Sequence, residues 1–522
     1  MTAHAPYPWI CSRRSGTGVV SVMAETLRRP CRRSSGVSGV RAPPWPYARR
    51  RSPTGPTPMP SPGARFVSAS DVARRALRGP KALLDWHDRR PRATLTSPRG
   101  WIWMALIAAL LYWMSNPLVF IPSFFFSFEH AKFWTKIAIL VTLPWLRLPR
   151  IPWPWLLFLG LCYLSQLWSI SDANTDLTNL VTMQVALMAL IVAANCEALV
   201  VCWGLGLGGI VVLALSAYAY EQELPGASNP YLTGSDFAGV GTNENILAYT
   251  LGVSLAAVLA IGWPRRTPWR VLSVATTAAL LYGIYRAASG TGFLAVLGLA
   301  GMAALIAAWP RLTTLPRRVK VLGSLAVVVV PLVAGLVVSF ALGKDLGTVS
   351  GRAPFWRAAV EASLETAPWF GSGWGAVWQH PWNAAQPNAV AQLIYDKAGY
   401  VLPHGHNYFV DVMPELGLVG VAIVVAMVVQ AVTTARRTGV REGSDPVAGR
   451  LVVLVLVSLM VFGITEPMFS VPLGWWSLTL VVATARQRVL PRPERGARRW
   501  PWSRTTGRRR ADVPPQAATV HG

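Results

Sequence analysis

Charge is scarce in this sequence. Asp, Glu, Lys and Arg make up 14% of its 522 residues, where a soluble chain carries about 25%. Hydrophobic residues make up 52%, and the mean hydropathy is +0.38. A chain so poor in charge is a poor fit to a water-facing surface, which argues against a soluble globular protein and makes lipid the expected solvent. Cysteine is scarce too: Cys11, Cys31, Cys162, Cys196 and Cys202 are the full set. None falls in a long external loop, so no disulfide framework is expected. No Cys-x-x-Cys is present to suggest metal or redox work. No apolar run of adequate length precedes Trp101, so no signal peptide is expected. An internal repeat of the kind that marks many secondary transporters is also lacking.

Acidic residues are the scarcer sign, 23 against 49 Lys and Arg, for a net charge of +26. The excess sits at the ends. Residues 1–100 hold 19 Lys/Arg and 4 Asp/Glu, and residues 486–522 hold 10 Arg and 2 acids. The middle is therefore close to neutral. Residues 1–100 are rich in Arg, Pro, Ser and Gly and cannot bury a core, so they read as a basic disordered tail. A short amphipathic helix is expected near 70–88. No nucleic-acid-binding fold surrounds these arginines, and nucleic acid is not an expected partner. Basic tails are retained in the cytoplasm and attracted to anionic lipid. Residues 488–522 read as a second such tail.

A helix needs about 20 apolar residues to cross a bilayer, because no backbone group can go unpaired in lipid. Twelve segments qualify: 101–121, 131–147, 152–168, 178–196, 198–219, 245–263, 269–287, 290–309, 320–342, 407–432, 450–466 and 471–487. The expected fold is all-α, a polytopic membrane protein with about 12 transmembrane helices over 101–487 and one large external loop, 343–406. With the N-terminus inside, five of the six inside loops are basic, while the outside loops 169–177 and 220–244 hold no Lys or Arg. The positive-inside rule therefore supports both termini in the cytoplasm.

The chemistry-bearing residues gather in the last external loop and the helix after it. Arg352 and Arg357 stay charged and can hold phosphate oxygens in a bidentate fork; they can also snorkel to lipid headgroups. The segment 352–366 reads as a short helix with Phe355, Ala359, Ala362 and either Val360 or Leu364 on one side. Trp356, Trp369, Trp374, Trp378 and Trp382 crowd one loop, where indoles suit both a membrane interface and the apolar faces of sugars. His404-Gly405-His406-Asn407 opens the tenth helix. A neutral imidazole can accept a proton near neutral pH, as a general base must. Asn407 can cap the helix, and Gly417 and Gly420 permit close helix packing. With no Cys in this loop or the helix after it, and no His-x3-His pair, no metal site is expected.

These residues resemble the O-antigen ligase family. The resemblance lies in His406-Asn407, nine intervening residues, and Gly417-x-x-Gly420-Val421. Gly351-Arg352 with Trp356, the Pro368-x-x-Gly371-x-Gly373 turn, and Thr242-Asn243-Glu244-Asn245 add to it. In topology it covers about 101–487. It implies a membrane glycosyltransferase of the cell inner membrane, with its site on the periplasmic side, working in surface polysaccharide biosynthesis. The donor would be a polyprenyl-diphosphate-linked glycan and the acceptor a glycan, lipid or protein hydroxyl. By resemblance His406 is the catalytic histidine, and Arg352, then Arg357, hold the diphosphate. Trp356 joins the substrate site, and His404, Asn407 or Glu415 orients the imidazole. The sequence departs from the family at Gly290, where many members have arginine. Arg286, one turn earlier, can reach the same space. No cofactor is implied, since the diphosphate is already a good leaving group. A polymerase of the same family remains an alternative, and a lipid-linked glycan flippase is an alternative of a different class.

Overall fold

The computed structural model describes residues 92–120, 151–228, 237–264, 266–312, 352–378, 388–400, 402–440 and 445–487, with a few isolated positions between 316 and 333. The chain divides into two units, residues 1–67 and 68–522, and all described residues belong to the second. The expected helices at 70–88, 131–147 and nearly all of 320–342, and both basic tails but for residues 92–100, lie outside the described residues. Among the described residues there is no strand, only the isolated bridges Ala93–Cys196 and Ser228–Phe237.

Twelve helices are described: α1 Pro98–Met114, α2 Trp153–Leu164, α3 Asp172–Asn195, α4 Ala198–Glu221, α5 Glu244–Ile261, α6 Thr267–Ala287, α7 Gly290–Leu312, α8 Arg352–Thr366, α9 Ala389–Ala398, α10 Tyr408–Val440, α11 Pro446–Thr465 and α12 Pro472–Arg486. Six of these, α3, α4, α5, α7, α10 and α11, are long and apolar enough to cross a membrane. The chain is a multi-pass membrane protein. Helix starts follow local chemistry. Ser97 caps α1 through Gly100 N–H at 3.1 Å, ahead of Pro98. Asn243, from the Thr-Asn-Glu-Asn stretch, caps α5 through the amides of Asn245 and Ile246. Asp445 caps α11 ahead of Pro446.

Small residues bring the helices together. A Cβ on Gly204 of α4 would fall 2.7 Å from the Ile107 side chain of α1, and one on Gly209 would fall 2.5 Å from Ser254 of α5. Close backbone approach through small residues is how helices associate where lipid is the solvent. Successive contacts put the ends of α1, α2, α4, α6 and α11 beside the starts of α3, α5, α7, α10 and α12. Ser289, just past α6, donates to Asn245 of α5 at 2.6 Å. Thr291 of α7 meets Thr465 of α11 at 2.7 Å. The opposite end of the bundle carries the half-buried Arg450, which caps the last carbonyls of α5. Arg99, bonded to Asn195, sits there too.

The segment expected as one helix over 407–432 is broken. Pro414 lies inside α10, and Gly417 leaves the helical region at φ 64, ψ −166. The turn at 368–373 repairs the break. Amides of Leu418 and Val419 donate to the carbonyls of Pro368 and Trp369 at 2.9 and 3.1 Å. Amides of Ser372 and Gly373 donate back to Pro414 and Glu415 at 2.9 and 3.0 Å. Backbone groups deep in an apolar chain must find partners, and this clamp supplies them. Gly417 is needed on two counts: its conformation is one that essentially only glycine adopts, and a Cβ there would lie 2.4 Å from Trp369.

Candidate functional site

At the end of the bundle with the starts of α5, α7 and α10, three side chains meet. Oε1 of Glu466 accepts from Arg352 Nη2 at 3.0 Å. Oε2 of Glu466 lies 3.2 Å from Nδ1 of His406. The Glu466 side chain is 1% exposed, His406 12% and Arg352 19%. An ionised carboxylate only accepts, so the Glu466 contact favours a proton on Nδ1, and in the neutral imidazole Nε2 then carries the lone pair.

The backbone sets each of these groups in place. α11 ends at Thr465 because Pro467 forces the preceding residue out of the helical region; Glu466 sits at φ −136, ψ 155. That extended step carries its carboxylate away from the helix axis and toward α8 and α10. Arg352 opens α8, and Trp356 follows one turn later on the same face. The Trp356 indole N–H donates to the carbonyl of Gly405 at 2.9 Å. α8 therefore reaches the site through two residues four apart. Its other face buries Phe355, Ala358, Ala359 and Ala362 against Trp378, Val390 and Ile394. Leu364, expected as an alternative on that face, is exposed. His406 takes φ +49, a left-handed turn that reverses the chain into α10. Asn407 caps α10 through the amides of Phe409 and Val410, and its Nδ2 donates to Ile464 O at 3.2 Å.

The other expected site residues fall in different places. His404 lies beside His406, ring centroids 4.0 Å apart. Arg357 points away: its side chain is 83% exposed and pairs with Glu361 at 2.7 Å. That hydrogen bond holds the Glu361 carboxyl below its ordinary range. Arg286 lies over the rings of Tyr220, Phe237 and Tyr282 and donates to the Tyr282 hydroxyl at 3.0 Å. It borders a cavity of about 310 Å³ between α4 and α6, and none of the residues lining it is His406, Arg352 or Glu466. Glu415, expected to orient the imidazole, is fully buried, and its Oε1 accepts from the amides of Val377 and Trp378 at 3.3 and 3.2 Å. It holds the 376–378 turn instead. Trp374 and Trp378 are also buried, with indoles bonded to Thr182 and to Asp411 O. They stitch the loop to α3 and α10 and offer no sugar-stacking face. Trp369 is exposed, and Trp382 lies outside the described residues.

Two carboxylates central to this geometry were not singled out from the sequence, Glu466 and Asp411. Glu466 had a readable signal: it ends a segment with no other acidic residue, and ionisable groups in such segments are usually functional.

Residues 275–425 match the O-antigen ligase family model. That span includes Arg286, Arg352, Trp356, His404 and His406, and stops short of Glu466. The chain is also similar to the exopolysaccharide production protein ExoQ of Rhizobium meliloti, 27% identical over 291 residues. The alignment covers 53% of this chain and 64% of that relative.

Proposed function

We propose, for a chain that belongs to the O-antigen ligase family through residues 275–425, that it transfers a glycan from a polyprenyl-diphosphate carrier to an acceptor hydroxyl. The observation that carries this reading is the His406–Glu466–Arg352 arrangement, an oriented imidazole beside a guanidinium. Nε2 of His406 takes the proton of the acceptor hydroxyl. The acceptor oxygen forms a bond to the anomeric carbon as the carbon–oxygen bond to the diphosphate breaks. The electron pair of that bond leaves on the diphosphate oxygen. Arg352 has five N–H donors, of which the Glu466 bond uses one; the others neutralise charge developing on the diphosphate. A single displacement inverts the anomeric configuration, and a product of retained configuration would overturn that step.

The charge distribution supports one placement in the membrane. Arg99, Arg266, Arg270, Arg311, Arg436, Arg437, Arg450 and Arg486 all belong to helix ends opposite the site. Under the positive-inside rule this supports a cytoplasmic face there and a periplasmic face around His406. The bilayer proposed is the inner membrane, with both termini cytoplasmic. The relative's name, an exopolysaccharide production protein, favours a second reading within this function, in which the acceptor is another glycan and the product a polymer. The test is purified protein in liposomes with lipid-linked glycan extracted from the native host's membranes. Release of polyprenyl diphosphate with glycan appearing on the acceptor supports transfer. Donor crossing the bilayer without release would support a flippase and refute it.

A further inference from the structure

We propose that Asp411 is a positioning residue for this transfer, holding His406 and Glu466 in register by bonding to one residue near each. The proposal rests on the role given above to His406.

Asp411 lies on the first turn of α10 and is fully buried. Its Oδ1 accepts the amide of Gly405 at 3.2 Å. Its Oδ2 accepts the amide of Ser470 at 3.3 Å and also the Ser470 hydroxyl. Gly405 directly precedes His406 in the chain. Ser470 follows Glu466 by four residues, at the entry to α12. One carboxylate therefore ties together the two segments that bring in the base and its partner, which are 60 residues apart.

Gly405 is held from both sides. Asp411 takes its N–H, and Trp356 of α8 donates to its carbonyl at 2.9 Å. No side chain fits at this position, since a Cβ would lie 2.7 Å from the Asp411 amide nitrogen. The next residue, His406, has the left-handed φ of +49, a conformation that costs an L-residue about 1–2 kcal/mol. Two hydrogen bonds on the preceding residue keep that turn in place. They fix where the imidazole stands relative to Glu466.

The side chain must be a carboxylate for this. Both of its oxygens face donors that cannot turn into acceptors, the amides of Gly405 and Ser470. An asparagine would set its NH2 against one of those N–H groups whichever way it turned. Two donors face to face in a buried site cost a hydrogen bond and the desolvation of both. One segment would then be released, and a displacement near 1 Å in a reacting group can cost about 100-fold in rate.

The experiment compares wild type, Asp411→Asn, Ser470→Ala, His406→Ala and the double variant His406→Ala/Asp411→Asn. All are purified as the full chain and matched for folded fraction by gel filtration and thermal unfolding. Transfer is followed as polyprenyl diphosphate released from lipid-linked glycan of the native host, over a range of donor concentrations. Asp411→Asn is expected to lower kcat about 100-fold while leaving the donor KM within about two-fold. The double variant is expected to match His406→Ala. Wild-type kcat in Asp411→Asn beside an inactive His406→Ala overturns the positioning role alone. So does a further loss in the double variant, because Asp411 would then act independently of His406. Wild-type transfer by His406→Ala sinks the role of His406 and this proposal with it. Should Asp411→Asn fail to fold, Ser470→Ala decides: lowered kcat at unchanged KM supports the tie, and unchanged kcat refutes it.

Discussion

Replacing Glu466 with glutamine changes one atom and two hydrogen bonds. In the wild type one carboxylate oxygen accepts from Arg352 at 3.0 Å and the other faces His406 Nδ1 at 3.2 Å. The amide has one oxygen and one NH2, so it must choose. With its NH2 toward Arg352, two donors would meet 3.0 Å apart with no acceptor between them, and guanidinium cannot adapt because it only donates. With its oxygen toward Arg352, the NH2 faces Nδ1, and imidazole can adapt by moving its proton. The second orientation wins. The proton then resides on Nε2, the atom that must accept from the substrate hydroxyl. The whole contribution of the base is lost, about 10²- to 10⁴-fold in kcat, or about 3–5 kcal/mol of barrier. Arg352 keeps its partner, so the donor KM should move by less than about three-fold. The assay is initial rate at saturating lipid-linked glycan, with Glu466→Asp as the conservative control that keeps the charge and should recover part of the rate. A Glu466→Gln enzyme with more than about a tenth of wild-type kcat would refute the tautomer argument.

Other expectations follow from the same geometry. Arg352→Ala should lower kcat about 100-fold and raise the donor KM. Arg357→Ala, whose guanidinium is exposed and paired only across one helical turn with Glu361, should change either constant by less than about two-fold; steady-state kinetics on both variants checks this. Gly417→Ala forces a side chain into φ 64, ψ −166 and against Trp369. The backbone cost is about 1–3 kcal/mol before the clash is counted. A lowered Tm in detergent, with loss of the monodisperse gel-filtration peak, is the expected result, and an unchanged Tm would contradict the account of the break.

Much of the helical framework was legible because apolar length is a strong signal. The segments 198–219, 269–287 and 290–309 correspond to α4, α6 and α7 with ends shifted by a few residues. The limits of α8 at 352–366 and the cap at Asn407 were readable from local pattern alone. The break at Gly417 was not, though Pro414 was in view: what stabilises it is a turn some 45 residues earlier, and pairing across that separation leaves no periodicity. Tryptophans gave the opposite error. Density in one loop suggested indoles facing a membrane interface or the apolar faces of sugars, yet Trp374 and Trp378 are core residues there. Composition reports that indoles are present and says nothing of which way they face. For Glu415 and Glu466 the same limit applies. Both are acids beside apolar runs, and only the fold puts one against a turn and the other against His406.

The most direct test of the central claim is glycan transfer by His406→Ala, inserted at the same abundance as wild type, with a donor preparation that wild type consumes. The account predicts that wild type releases polyprenyl diphosphate and builds product while His406→Ala binds donor and does neither. Equal turnover by the two proteins would contradict it and make His406 a structural residue at the mouth of α10.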